Sequence, residues 1–162
     1  MDFGVYWAYF KRDTKDEWPV TTWLTNSSLL SKAEAGDRLW LFTSGANAGM
    51  SEEQAGYLVE IFTVAEVQGG AYESDYPVPQ FGHRLIADRS RTVAVDPPIL
   101  VDDLFRSPQH EVTLSAGNFL QAPRKLKQEL LVSLVQRVRD QPHDRYQAVW
   151  GADEGQQGAT GQ

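Results

Sequence analysis

One tryptophan stands among small polar side chains in the segment Thr21–Ser28, which reads TTWLTNSS. Trp23 offers a wide, flat ring, and the hydroxyl and amide groups of Thr25, Asn26 and Ser27 can donate or accept hydrogen bonds. An aromatic face beside such groups can hold a planar ligand by stacking and can read the polar edge of that ligand. The same ring can instead form the edge of a hydrophobic core, so the segment alone leaves both interpretations open.

Residue patterns that support catalysis are not recognisable in this sequence. The three histidines, His83, His110 and His143, lie far apart, and none has a carboxylate at metal-ligand spacing. No glycine-rich loop carries the lysine of a phosphate-binding site, and no serine has the Gly-x-Ser-x-Gly environment of a nucleophile elbow. We therefore predict a protein that is not an enzyme and that uses no metal or other cofactor.

Length and composition are typical of one soluble domain. The chain has 162 residues, of which 41% are hydrophobic and 23% charged, and it contains no cysteine. It also lacks a signal-peptide pattern and any apolar run of membrane-spanning length, which together favour a cytoplasmic location without membrane contact. The formal net charge of -7 argues against extensive phosphate binding. It does not exclude a small cluster of basic residues at the entrance of a binding site.

Hydrophobic patterning predicts the elements that must position these residues. Strands are predicted over residues 3–12, 38–44, 57–68 and 145–150. Residues 83–100 are predicted to form one or two further strands. We expect Gly69-Gly70 and Pro97-Pro98 to end the strands that precede them, and residues 45–56 and 71–81 to be irregular. Helical turns are predicted over 26–34 and 100–105, and apolar residues at intervals of three and four predict one longer helix over 124–139.

This order of elements predicts an α+β fold. The expected architecture is a curved, mostly antiparallel β-barrel with short helices and one longer C-terminal helix. Residues 1–150 form the predicted domain, with Trp40 in its core, and residues 151–162 form a disordered tail or linker because they have little to bury.

Four segments, taken in order, resemble the EVE domain of the PUA-like superfamily, which is related to YTH domains. They are TTWLTNSSLLSKAEAGDRLWLFTSG, YLVEIFTVAEVQ, FGHRLIADRSRTVAVDPPILVDDLF and LSAGNFLQAPRKLKQE. In the first, a tryptophan and a short polar helix precede the Gly36-Asp37 turn and an apolar strand. The similarity extends from about Phe3 to Arg139 and implies a PUA-like barrel.

The resemblance implies a reader of a modified base. Such domains hold a flipped or unpaired base in an aromatic pocket, here a methylated or hydroxymethylated cytosine in DNA, with RNA left open. By position, Trp23 is the implied pocket wall and Tyr76 a second wall, for which Tyr72 or Phe81 can substitute. The other implied pocket residues are Thr25, Asn26, Ser27, Ser44, Trp7 and Tyr9. Ser27 is equally suited to cap a helix, and Trp7 and Tyr9 are equally suited to the core.

Basic residues near these segments are candidates for phosphate contacts, which position a strand without reading it. They are Lys11, Arg12, Arg84 and Arg124. The resemblance also implies a nuclease or helicase partner in modification-dependent restriction, joined through the C-terminal tail. The alternative is a small-molecule or protein-interaction module in which the same pocket serves a ligand other than nucleic acid, and the net charge of -7 favours it.

Overall fold

The computed structural model describes residues 1–74, 80–105, 117, 120–141, 146 and 149, which form an α+β fold. The strands are β1 (Asp2–Tyr6), β2 (Thr22–Thr25), β3 (Arg38–Ser44), β4 (Gly56–Glu73), β5 (Gln80–Ala87), β6 (Val93–Leu100) and β7 (Arg124–Lys125). The α-helices are α1 (Phe10–Asp13), α2 (Gly45–Ala48), α3 (Asp102–Phe105) and α4 (Gln128–Arg139). Single 3-10 turns lie at Leu30–Lys32 and Arg89–Arg91.

The described strands form one open sheet in the order β2-β5-β4-β3-β1-β7, and β6 also pairs with β4. β1 runs parallel to β3, and the other ladders are antiparallel. The prediction of a mostly antiparallel α+β fold is therefore confirmed. The predicted closure into a barrel is wrong for the described residues, because the end strands β2 and β7 pair only with β5 and β1. These end strands are short, with four and two residues.

β4 connects the two halves of the sheet. Its first half pairs with β3 and β6, whereas its second half pairs with β5. Leu41 lies opposite Glu60 and Phe42 lies opposite Leu58, so Val59 is an extra residue that forms a β-bulge. A bulge increases the local twist of the strand and changes the alternation of its side chains. β4 stays paired with β3 on both sides of the bulge, up to Thr63 opposite Arg38, and from Val64 onward it pairs with β5, which in turn pairs with β2.

Two hydrophobic clusters cover the two faces of the sheet. Trp40 and Phe42 of β3 point to one face, where they join Leu130 and Leu134 of α4. Leu39 and Leu41 alternate with them and point to the other face, into a cluster that includes Leu85 of β5. A strand buried on both faces reads as a continuous apolar run, which is why β3 was predicted with its observed bounds. The prediction that Trp40 belongs to the core is confirmed.

The first predicted strand is too long. β1 ends at Tyr6, and α1 occupies residues that the aromatic pattern assigned to a strand. The Asp13 N–H donates to the Tyr9 carbonyl, and the Thr14 hydroxyl donates to the Phe10 carbonyl, which closes the turn. The buried Phe10 ring anchors this turn on the core. Tertiary burial has thus outweighed the strand propensity of the segment.

Other boundaries also differ from the predictions. β4 continues through Gly69-Gly70, because an irregularity in its pairing with β5 accommodates the glycines. β6 includes Pro97-Pro98, and the long helix begins at Gln128 rather than Arg124. β2 and α2 were not predicted at all. Most of the strand predicted at 145–150 lies outside the described residues, as does the predicted tail at 151–162.

Candidate functional site

A cavity of about 870 Å³ opens between the segment that follows β1 and the β2-β5-β4 part of the sheet. Its volume lies within the roughly 300–1,000 Å³ typical of ligand pockets. The lining residues are Tyr6, Trp7, Ala8, Tyr9, Asp13, Val20, Thr22, Trp23, Leu24, Ala71, Tyr72, Glu73, Phe81 and Arg84. Six of these side chains are aromatic, so the wall suits a planar ligand.

Trp23 is half-buried and lines the cavity. Its backbone pairs with Leu85 of β5, which places it on the end strand of the sheet. The Trp23 ring meets the Trp7 ring edge-to-face, with 5.4 Å between ring centroids and 83° between planes. The ring packs on the core cluster and also borders the open cavity, so its role as a ligand surface stays a prediction.

The floor of the cavity is built on Trp7, which is only 2% exposed. Its ring meets Phe10 edge-to-face at 5.1 Å, and Phe10 meets Trp18 in the same way at 5.4 Å. Each contact of this kind contributes about 0.5–1.5 kcal/mol beyond simple burial. Trp23 is therefore the end ring, on the cavity side, of a four-ring chain that fixes its orientation.

Asp13, the last residue of α1, is fixed against the same floor. Its Oδ2 accepts a hydrogen bond of 2.8 Å from the Trp7 indole N–H, and its side chain is 18% exposed. Sequence reasoning did not single out Asp13, because a lone aspartate in a charged segment reads as a solvated surface residue. One signal could have identified it: Asp13 follows Phe10 by three residues, and in a helix two such residues lie on the same face.

The opposite wall comes from the paired strands β4 and β5. Tyr72 lies opposite Phe81, and both side chains line the cavity. Tyr76, the predicted second wall, lies outside the described residues, and Tyr72 and Phe81 are the two substitutes that were predicted for it. Gly70 allows the Tyr72 ring to lie close, since a Cβ at that position would be 3.0 Å from the Tyr72 hydroxyl oxygen.

Arg84 is the cation in the cavity wall, and it is held in place. Its guanidinium lies over the Tyr72 ring at 4.7 Å and donates from Nε and Nη2 to Oε1 of Gln68. Arg12 lies outside the lining but packs over the ring of Tyr9, a lining residue, at 4.5 Å. Two of the four predicted phosphate contacts thus lie in or beside the cavity.

The other two predicted phosphate contacts are placed differently. Lys11 is an exposed residue of α1, next to Arg12 in the chain. Arg124 is exposed on β7, opposite Gly4 of β1, at the far end of the strand order from β2. Neither side chain belongs to the described lining of the cavity.

The predicted polar pocket residues make local hydrogen bonds outside that lining. Asn26 ties β2 to β5, because it donates to the Gln80 carbonyl and accepts from the Gly82 N–H. The remaining contacts join neighbouring residues: the Ser27 N–H donates to Thr25 Oγ1, the Leu30 N–H to Ser27 Oγ, and the Asn47 N–H to Ser44 Oγ. Ser27 therefore makes the kind of contact that caps a helical turn, which was the alternative prediction for it.

Behind the cavity, Glu60 is fully buried at 0% exposure. Its Oε1 accepts a 2.8 Å hydrogen bond from the N–H of Val20, a cavity residue, and its Oε2 has no partner among the described protein groups. Burial raises the pKa of Glu60 to about 9, although the Val20 N–H acts in the opposite direction, and nearby Glu17 adds to the rise. Glu60 is therefore a neutral acid at pH 7 and holds the wall segment without adding charge to the site.

The site offers stacking surfaces, one fixed cation and two carboxylates, Asp13 and Glu73. Across residues 1–74, 80–105 and 120–141, no three acidic or histidine side chains converge as metal ligands do. Aromatic faces and charged groups in one cavity can hold a planar group by stacking and hydrogen bonding.

No described helix is long and apolar enough to cross a bilayer. No protein-family model, no curated protein and no solved structure matches the chain, so the resemblance to EVE domains stays a prediction.

Proposed function

We propose that the protein is a PUA-like module that binds nucleic acid by holding one flipped or unpaired base against Trp23. The base we propose is a modified cytosine in DNA, methylated or hydroxymethylated. The observation that carries the proposal is the cavity of about 870 Å³ that the Trp23 ring borders together with five other aromatic side chains. The role in restriction and the nuclease or helicase partner belong to the same proposal.

Stacking supplies the affinity in this proposal. A base taken out of its strand loses its stacked neighbours, and an aromatic wall restores about 1–3 kcal/mol per base. A methyl group that becomes buried adds roughly 0.8 kcal/mol. The edge-to-face contact between Trp7 and Trp23 supports this role, because a ring that is already oriented loses little entropy when a ligand stacks on it.

The charges near the cavity suit a short contact with a strand. Arg84 in the wall and Arg12 at the rim supply two cations, whereas the chain as a whole carries a formal charge of -7. If two phosphates of a single strand are neutralised, log K falls against log salt with a slope of about -1.4. The base, rather than the backbone, must then provide most of the affinity.

Fluorescence anisotropy with labelled single-stranded oligonucleotides tests the proposal. One central position carries 5-methylcytosine, cytosine or an abasic site, and each oligonucleotide is titrated at two salt concentrations. We expect the 5-methylcytosine strand to bind tightest and the abasic strand weakest, with a shallow salt slope. Equal affinity for the 5-methylcytosine and abasic strands contradicts the proposal.

Variants of Trp23 connect this binding to the cavity. Trp23→Ala should weaken binding of the 5-methylcytosine strand by about 1–3 kcal/mol, whereas Trp23→Phe, which keeps an aromatic face, should retain most of the affinity. Trp18→Phe is the matched control, because Trp18 lies in the same ring chain but outside the described cavity lining. Unchanged affinity in a Trp23→Ala protein with a native circular dichroism spectrum would assign this tryptophan to structure alone.

The second candidate is a module that binds a cationic group of a small molecule or a protein. Asp13 and Glu73 in the wall favour it, together with the net charge of -7, because aromatic rings and carboxylates attract cations. A trimethyllysine peptide is the probe in the same anisotropy assay. Binding of this peptide without binding of any oligonucleotide selects the second candidate.

A further inference from the structure

We infer that Asp13 is the group that reads the ligand, and that it selects a base with an exocyclic amino group over one with a carbonyl at the same position. The inference rests on the proposed function and names the specificity-determining residue of that site. It concerns hydrogen bonding at the polar edge of the base, whereas Trp23 acts on the face of the base.

Asp13 is held in place through both of its carboxylate oxygens, because its Oδ1 also meets the Nε of the exposed Arg12 at 3.4 Å. Its Oδ2 is tied to the indole N–H of Trp7, and the Trp7 ring is buried between Phe10 and Trp23. The backbone of α1 fixes the residue from the other side, through its N–H bond to the Tyr9 carbonyl. The carboxylate therefore lies one indole ring away from Trp23 and cannot turn freely.

The chemistry of a carboxylate sets the preference. An ionised aspartate only accepts hydrogen bonds, and each carboxylate can accept several at once. Placed at the exocyclic C4 position of the base, it pairs with the amino group of cytosine, whereas at that position it would face the carbonyl oxygen of thymine or uracil with one lone pair against another. In a partly buried cavity, such a mismatch leaves a polar group without a partner, which weakens binding.

Glu73 is the other carboxylate of the lining, and it is placed less favourably for this role. It is an exposed residue at the end of β4, where it pairs with Gln80 of β5. An exposed carboxylate stays hydrated, so it contributes little discrimination between bases. The partly buried Asp13 is therefore the better reader, and Glu73 serves as a control.

The test compares two bases that differ in little else. 5-Methylcytosine and thymine share the same ring and the same methyl group, but the first carries an amino group where the second carries a carbonyl. Anisotropy titrations use one oligonucleotide with either base at its centre, and the wild type, Asp13→Asn and Glu73→Gln proteins. We expect the wild type to bind the 5-methylcytosine strand about tenfold or more tighter than the thymine strand, as one good base contact implies.

Asp13→Asn should abolish or reverse this ratio. The asparagine oxygen can still accept from Trp7, while its amide N–H₂ can donate to the thymine carbonyl. Glu73→Gln should leave the ratio unchanged. A wild-type protein that binds both strands equally, or an Asp13→Asn protein that keeps the full ratio, overturns the inference and leaves the proposed function standing. Failure of the wild type to bind either strand overturns the proposed function and this inference with it.

Discussion

Glu60→Gln should stabilise the protein at high pH and have little effect at low pH. Glu60 is 0% exposed, and burial raises its pKa from the ordinary value of 4.5 to about 9. The folded state therefore binds a proton that the unfolded state releases above pH 4.5. The stabilisation linked to this proton is fully present below pH 4.5, declines as pH rises, and is lost above about pH 9. Glutamine keeps an oxygen for the Val20 N–H and cannot ionise.

The size of the effect follows from the two pKa values of Glu60. Between them, stability linked to the group falls by about 1.4 kcal/mol per pH unit, which gives about 4 kcal/mol between pH 5 and pH 8. Urea unfolding of both proteins at pH 5, 6, 7 and 8 measures it, because other titrating groups cancel in the difference between wild type and variant. A difference in unfolding free energy that does not change with pH would refute the assignment of Glu60 as a buried neutral acid.

Two arginine–aspartate pairs should respond very differently to mutation. Asp2→Ala should destabilise the fold by about 3 kcal/mol, measured by urea unfolding, because Arg38 is 8% exposed and loses the carboxylate that its Nε meets at 2.7 Å. Arg137→Ala should lower the free energy of unfolding by less than about 1 kcal/mol in the same assay, because the hydrogen bonds between Arg137 and Asp103 lie at the surface. These bonds also lower the pKa of the Asp103 carboxyl. Equal effects of the two substitutions would contradict this distinction between buried and exposed pairs.

The buried strands were the easiest part of the fold to predict. β3 is buried at every position but its last because both of its faces are covered, and its continuous apolar run, Leu39 to Phe42, is typical of such a strand. Hydrophobic spacing identified the buried stripe of α4 for the same reason, with Leu130, Leu134 and Val138 facing the core. At Phe10 in α1, tertiary contacts determine the secondary structure, and local propensity wrongly predicted a strand there.

Most of the aromatic residues that line the cavity could be named from the sequence, whereas most of the polar residues that line it could not. Aromatic side chains are few and large, so Trp7, Tyr9 and Trp23 could be proposed from the sequence, and all three line the cavity. Small polar side chains such as Asn26 have many local partners, and the sequence does not reveal that Asn26 bridges two strands instead of facing a ligand. Asp13 reaches the cavity only because α1 folds back on Trp7, which is a property of the tertiary structure.

Among the described strands, β2 lies at one end of the sheet and pairs with β5 alone. The tryptophan wall thus belongs to a strand with a single row of backbone hydrogen bonds, and such strands open more readily than central ones. Under the proposed function, ligand affinity depends on how often β2 is docked in its native register. A substitution that strengthens the β2–β5 ladder away from the cavity should therefore slow amide exchange in β2 and tighten binding, without adding any contact to the ligand.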